Sequence, residues 1–224
     1  MPKVAPSTLI FFLTLVVTVH ASVSYLFFRY APKASRTKIM FFWYVAPLVS
    51  GLLAIAGITQ RLTLPPPILP LNLFLFGSAI FFVCSAKGKH ISHHAPLRLL
   101  IGLQVFRLPL ELLLNRLGEE KAIPIEMTFQ GYNYDIITGL LALVFILFPK
   151  PRLGWIIQVV GLICLSVILV IVVVALPIPF GLTTTALMLP TYFPFIWLPT
   201  LLVLSAVLLH GLSIRALLRG RQEK

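Results

Sequence analysis

The sequence predicts an all-α fold, a polytopic transmembrane helix bundle of seven spans in a single domain covering residues 1–224. Three observations lead there. Mean hydropathy is +1.01 and only 11% of the residues are charged, against about 25% in soluble domains. Residues 8–28, 39–58 and 153–176 contain no Asp, Glu, Lys or Arg, and each reaches the roughly 18 to 20 residues that cross a bilayer core. The apolar runs are continuous in Leu, Val, Ile and Phe, whereas a membrane β-barrel needs apolar and polar residues in alternation.

The spans follow in chain order. The first is 8–28. Only Lys3 precedes it, no A-x-A-like site follows, and Arg29 and Lys33 do, so it reads as a retained span and not a signal peptide. The second is 39–59. Pro65, Pro66, Pro67 and Pro70 mark a loop expected to stay non-helical up to the last of them, ahead of the third span, 68–86. The fourth is 97–117. The fifth, 136–148, has thirteen apolar residues closed by Pro149; at 1.5 Å per residue it reaches only about 20 Å of a core near 30 Å. Asp135 is the expected N-cap. Either the preceding PIEMTFQGYNYD dips into the membrane under cover of protein or water, or Tyr132 and Tyr134 complete the span as interfacial aromatics. The sixth span is 153–176 and the seventh 193–214. The uncharged PIPFGLTTTALMLPTYFP lies between them, with Tyr192 and Trp197 suited to the headgroup level.

The formal charge is +12, and its placement tells a nucleic-acid surface from a topology signal. Arg29, Lys33, Arg36 and Lys38 follow the first span. Lys87, Lys89 and Arg98 follow the third, Lys150 and Arg152 the fifth, and Arg215, Arg219, Arg221 and Lys224 the seventh. With seven spans these segments share one side, and only Lys3, Arg61, Arg116 and Lys121 face the other. This asymmetry predicts an external N-terminus and a cytoplasmic C-terminus. It calls for no nucleic-acid partner, and leaves membrane lipids as the partner of the basic side.

The fourth span holds the polar residues that an apolar segment should avoid. Advancing 100° per residue, Gln104, Arg107, Glu111 and Asn115 fall within an arc of about 80°. Arg107 and Glu111, four residues apart, are expected to pair. A mid-membrane arginine facing lipid costs at least about 2.5 to 3.5 kcal/mol, so the stripe must face protein or a wet cavity. Pro109, between the two charges, removes a backbone hydrogen bond. Five of the six acids, Glu111, Glu119, Glu120, Glu126 and Asp135, lie between 111 and 135. If the following loop dips, Gln104, Arg107, Glu111, Asn115, Asn133 and Asp135 form an outward-opening site for a small molecule or ion, with Phe129, Tyr132 and Tyr134 as lining. The alternative is a structural ion pair that locks the fourth span to a neighbour.

The stretch FRLPLE followed by IPIEMTFQGYNYD, within roughly residues 104–139, resembles a pattern in uncharacterised bacterial multi-pass membrane proteins. The resemblance implies a bacterial inner-membrane setting and supplies no chemistry.

Other residues carry competing readings. His90, His93 and His94 in KGKHISHHAP form either a metal-binding face or a solvated basic loop. His20 and His210 lie in the first and seventh spans. They suit haem ligation, proton relay, or simple hydrogen bonding to Ser24, Ser205 or a carbonyl. Cys84 and Cys164 read as apolar filler. No sequence motif calls for a cofactor, the seventh span has no lysine for a Schiff base, and no intramembrane protease or phosphate-loop motif stands in the chain. Three functions follow: a small-solute or ion transporter or its binding component, a scaffold with a structural Arg–Glu pair, and a membrane-embedded lipid-modifying enzyme using Glu111 as acid or base.

Overall fold

The computed structural model describes residues 3–61, 63, 65–176 and 186–222, with side chains described as far as residue 220. Among these, all regular structure is helical. The elements are α1 (Pro6–Tyr30), α2 (Lys33–Ile55), α3 (Ile68–Cys84), α4 (Ala86–His94), α5 (Leu97–Gly102), α6 (Arg107–Glu119), α7 (Ile136–Leu147), α8 (Pro151–Ala175) and α9 (Leu204–Gln222). A 3-10 turn, Leu103–Phe106, joins α5 to α6, and a π-helical stretch, Leu198–Val203, leads into α9.

Four helices are long and apolar enough to cross a membrane: α1, α2, α8, and α9 together with its π-helical lead. The third expected span stops at Cys84. Ser85 then turns the chain by 67° into α4, its hydroxyl accepting from the Gly88 amide at 3.3 Å. If this bent pair counts as one span, the number is five. The fourth expected span is helical from 97 to 119 but broken by the 3-10 turn, for which Pro109 gives the reason. Its ring excludes an α-helical bond to the Val105 carbonyl, so the turn before it tightens. The fifth is a twelve-residue helix. Contrary to the expectation for the proline loop, α3 begins at Ile68. Pro70 sits in its first turn, where a missing N–H removes no helical bond.

The surface of these helices suits lipid. Phe42, Phe74 and Phe81 are 70%, 72% and 78% exposed. The exposed hydroxyls of Thr14 and Thr18 donate to the Ile10 and Thr14 carbonyls at 2.9 and 2.8 Å, which satisfies them within their own helix. Trp197 is partly buried against α2, its Nε1 donating to the Pro47 carbonyl at 2.9 Å. It therefore ties the segment before α9 to α2. Residues 177–185 of the preceding uncharged segment, with Met1 and Lys224, lie outside the described residues.

The central element is α9, the most enclosed of the long helices, with 61% of its apolar stretch buried against 28% for α2. Two of its basic residues tie down the polar end of the bundle. Arg215 donates to the Val83 carbonyl at the end of α3, and Arg219 Nη1 to the His93 carbonyl at 2.9 Å. Both satisfy carbonyls at helix C-termini. At the opposite end, Glu120 after α6 accepts from the Ala5 amide at 3.0 Å and from Thr8 Oγ1 at 2.5 Å. The start of α1 and the end of α6 therefore share one side of the molecule.

Small residues let the helices close up around this centre. A Cβ on Gly139 of α7 would sit 2.9 Å from the Leu108 backbone nitrogen, and one on Gly161 of α8 would sit 2.4 Å from the His210 ring. Such small-residue contacts are the usual means of close packing between membrane helices. Gly139→Ala is expected to lower the melting temperature of detergent-purified protein, because backbone on α6 cannot yield; overpacking of this kind costs about 1 to 3 kcal/mol. Gly77→Ala, at a position with open space within 4 Å, should leave the melting temperature unchanged in the same assay.

Candidate functional site

The polar stripe of α6 and the 3-10 turn before it faces inward. Gln104 and Arg107 are fully buried and Glu111 is 1% exposed. The segment after α6 folds back along that helix, as the side-chain contacts show in order. Thr128 packs on Gly118, where an added Cβ would lie 2.7 Å from its methyl group. Asn133 meets Glu111, Asp135 meets Arg107, and Gly139 meets Leu108. From Glu119 back to Arg107 is twelve residues of helix, about 18 Å at 1.5 Å per residue. Asp135 is thus recessed deep beside α6, and the short α7 starts from there.

The returning segment is locally built for this descent. Gly131 lies so close to Glu126 that a Cβ would come within 2.5 Å of its Cα. Thr128 Oγ1 accepts from the Gln130 amide at 3.2 Å, and the Asn133 amide donates to the Thr128 carbonyl at 3.2 Å. Burial then alternates: Tyr132 and Tyr134 are exposed, Asn133 and Asp135 buried. The two tyrosines therefore point away from the site they were expected to line.

Arg107 pairs with Asp135, not with Glu111 as its helical spacing suggested. Its Nη1 donates to Asp135 Oδ1, and its Nη2 to His210 Nε2 at 2.9 Å. A guanidinium only donates, so Nε2 accepts and the imidazole proton lies on Nδ1. From there it donates to Gln158 Oε1 at 2.6 Å. Asp135 occupies the N-cap position of α7 but makes no side-chain cap. The guanidinium, a charged donor, outcompetes the backbone amides that a cap would serve. Glu111 Oε1 accepts from Asn133 Nδ2 at 2.8 Å. The same amide donates to the Met127 carbonyl at 3.1 Å, and Asn133 Oδ1 accepts from the Asp135 backbone at 3.3 Å.

Five of the six residues singled out in the sequence are buried in this region: Gln104, Arg107, Glu111, Asn133 and Asp135. Asn115 is only half-buried and donates instead to Glu119 Oε1 at 2.7 Å. His210 and Gln158 complete the cluster, and the sequence reading did not place them in it. An intramembrane histidine was a visible signal, but its partners lie 103 and 52 residues away in the chain. His20 is elsewhere, stacked on Trp43 at 5.2 Å. His90 and His94 stack at 3.9 Å on α4. Among the described residues, no group of three His, Cys, Asp or Glu is placed to hold a metal ion, and both cysteines are free thiols.

The cluster is not closed on itself. Glu111 Oε2, Arg107 Nε and both amide atoms of Gln104 are buried without a hydrogen-bond partner. Arg107, Glu111, Asn133 and Asp135 line a cavity of about 240 Å³. Asn72 of α3 and Thr191 add polar groups, and the rest of its wall is apolar, chiefly Phe76 of α3, Leu110 of α6, Ile168 and Val172 of α8, and Leu202 of the π-helical stretch before α9. Leu73 of α3 and Val173 of α8 line it and are 72% and 39% exposed. Among the described residues the cavity thus lies against the flank of the bundle between α3 and α8, and Ile68 and Leu69 at the start of α3 and Leu187, Pro190 and Thr191 before the π-helical stretch also line it.

Comparison with protein-family models, with curated proteins and with solved structures finds no match to this chain.

The pairing generates a double-mutant test. Arg107→Gln strands the Asp135 carboxylate in the core and is expected to destabilise the purified protein by about 3 to 5 kcal/mol. Adding Asp135→Asn should recover most of that loss in thermal melting, a coupling that independent sites do not show.

Proposed function

We propose that this protein is a multi-pass membrane transporter for a small solute, or the binding component of one, and that its ligand occupies the cavity beside Arg107, Glu111, Asn133 and Asp135. The observation that carries this reading is the incomplete satisfaction of the cluster at the cavity wall. A purely structural ion-pair network in an apolar surround is expected to close, because each unsatisfied buried polar group costs about 1 to 3 kcal/mol. Here Asp135, Arg107, His210 and Gln158 form a connected chain. Glu111 Oε2 and Arg107 Nε, on residues that line the cavity, are left over. Concave, mostly apolar walls with a few convergent polar groups are what ligand sites present. The scaffold reading accounts for the chain of bonds but gives no role to the leftover atoms or to the space next to them.

Seven crossings in a bacterial inner membrane, with the N-terminus outside, remain part of this proposal. The positive-inside asymmetry supports them. So does the pairing of α1's start with α6's end, and of α9's end with α3 and α4, on opposite faces. On this topology α5, the 3-10 turn and α6 make one crossing, and α7 crosses with the help of the recessed segment before it. The apolar flank between α3 and α8 then faces lipid, so the solute arrives from the membrane and has an apolar part.

Two measurements test the reading. A fluorescent-protein fusion at the C-terminus should glow and a periplasm-dependent reporter there stay inactive; the reverse would remove the seven-span topology. Ala206 lines the cavity and is 4% exposed. Ala206→Phe should fill the space, and mass spectrometry of extracts from protein purified in mild detergent should then lose a small molecule that the wild type retains. Identical extracts from two folded proteins would favour the scaffold.

A further inference from the structure

The charges around the cavity bear on what kind of ligand it takes. The cluster buries two carboxylates, Glu111 and Asp135, with one guanidinium, Arg107. Asp135 is matched by Arg107 Nη1, and Arg107 Nη2 is engaged by a neutral acceptor, His210 Nε2. The positive charge therefore answers one carboxylate. Glu111 has a neutral amide donor, Asn133, on Oε1 and no partner on Oε2. Two carboxylates beside one cation in an apolar enclosure lack one positive charge, and an uncompensated charge there is expensive. A proton or a cationic ligand can supply it. Asn72 of α3 lines the same cavity, and its Oδ1 is buried without a partner. It is a second acceptor on the wall. Arg107 Nε adds a donor suited to a neutral oxygen, with no further unmatched positive charge.

An anionic head would bring a like charge to Glu111 and Asp135, while the one guanidinium charge is already matched by Asp135. A strongly hydrated inorganic cation would gain little from walls of Leu, Ile, Val and Phe. At about 240 Å³ the cavity is just below the roughly 300 to 1,000 Å³ of ordinary ligand pockets, which fits one alkyl chain better than a two-chain lipid. We infer that the site binds a single-chain amphiphile with a protonated-nitrogen head, an alkylammonium, whose N–H donates to Glu111 Oε2 while its chain lies between α3 and α8. This inference rests on the ligand-site reading above and narrows its solute to a cationic amphiphile.

Three probes with one chain and different heads decide it: octylammonium, octyl phosphate and octanol. Each is bound to the full-length wild type in nanodiscs of zwitterionic lipid and followed by native mass spectrometry. Octylammonium should bind about tenfold or more tightly than octanol, as a charge-assisted hydrogen bond implies, and octyl phosphate no more tightly than octanol. Glu111→Gln keeps the acceptor that Asn133 uses. It should erase the ammonium preference while octanol still binds. Equal binding of all three probes, or a preference for the phosphate, would overturn the cationic assignment and leave the ligand-site reading standing. Binding of none would remove the ligand-site reading itself. If Glu111→Gln does not fold, the ranking of the three heads on the wild type still decides, because only a negative wall produces that order.

Discussion

The pairing of Arg107 with Asp135 organises the structure around it. An arginine placed at the start of α6, a full helix length from either polar end, needs a carboxylate at its own depth. None of its helical neighbours provides one that the structure uses. The partner arrives on the chain that leaves α6, and it can arrive only if that chain turns back along the helix for about 18 Å. The recessed segment, its tight Gly131 and its inward Asn133 all follow from that requirement. The brevity of α7 follows as well. A helix that begins at Asp135 is already part of the way through the bundle, so twelve residues suffice to reach Pro149. Gly139, one turn further on, lets α7 lie against the backbone of Leu108 at the distance the ion pair sets.

The same pair determines what the rest of the core must be. A guanidinium enclosed among apolar helices has five N–H donors in a rigid plane. One carboxylate cannot accept them all. His210 takes an Nη2 hydrogen and is held in that role by Gln158, so α9 and α8 are drawn into register with α6. Gly161 is the position at which α8 makes room for the imidazole. The hydrogen-bond chain thus crosses four helices, and the small residues sit where it needs the backbones close. Buried polar networks of this kind define one arrangement of helices among many apolar ones of similar energy.

How much of this was legible in the sequence depends on the distance over which each rule acts. The polar stripe is a property of one helix, and a rotation of 100° per residue was enough to find Gln104, Arg107 and Glu111 on an inward face. Length alone showed that twelve or thirteen residues cannot cover the core, but it left open whether the chain before α7 folds back or Tyr132 and Tyr134 extend the span. The choice of partner for Arg107 was not. Spacing of four makes Glu111 a competent partner, and a local rule has no means of weighing it against a carboxylate 28 residues away. The expected cap on α7 failed for the same reason, since Asp135 cannot serve both its own helix and the guanidinium. His210 was visible as an oddity in an apolar helix. Its contact with Arg107 required a tertiary arrangement that no periodicity encodes. The breaks in the helices lay between these cases. Pro109 announced a disturbance and the 3-10 turn is its form, whereas the turn at Ser85 has no proline, and Gly88, whose missing Cβ lets α4 approach the Phe82 and Val83 carbonyls, was not read as its mark.

What remains after the network has formed is an asymmetry between its two carboxylates. Asp135 is bonded to a cation, and Glu111 to a neutral amide on one oxygen only. If the cluster existed only to hold helices together, replacing Glu111 by an apolar residue would remove a burden at no loss to the chain of bonds from Asp135 to Gln158. Glu111 makes no contact that holds two long helices together; its one bond, to Asn133, supports the recessed segment, and a glutamine would make it equally well. A carboxylate on a cavity wall, with its second oxygen buried and without a partner, is therefore poorly explained by stability. It is well explained by something that enters the cavity with a donor of opposite charge. On the proposed reading the physical logic that places Asp135 opposite Arg107 applies a second time, with the complement to Glu111 supplied from outside the chain.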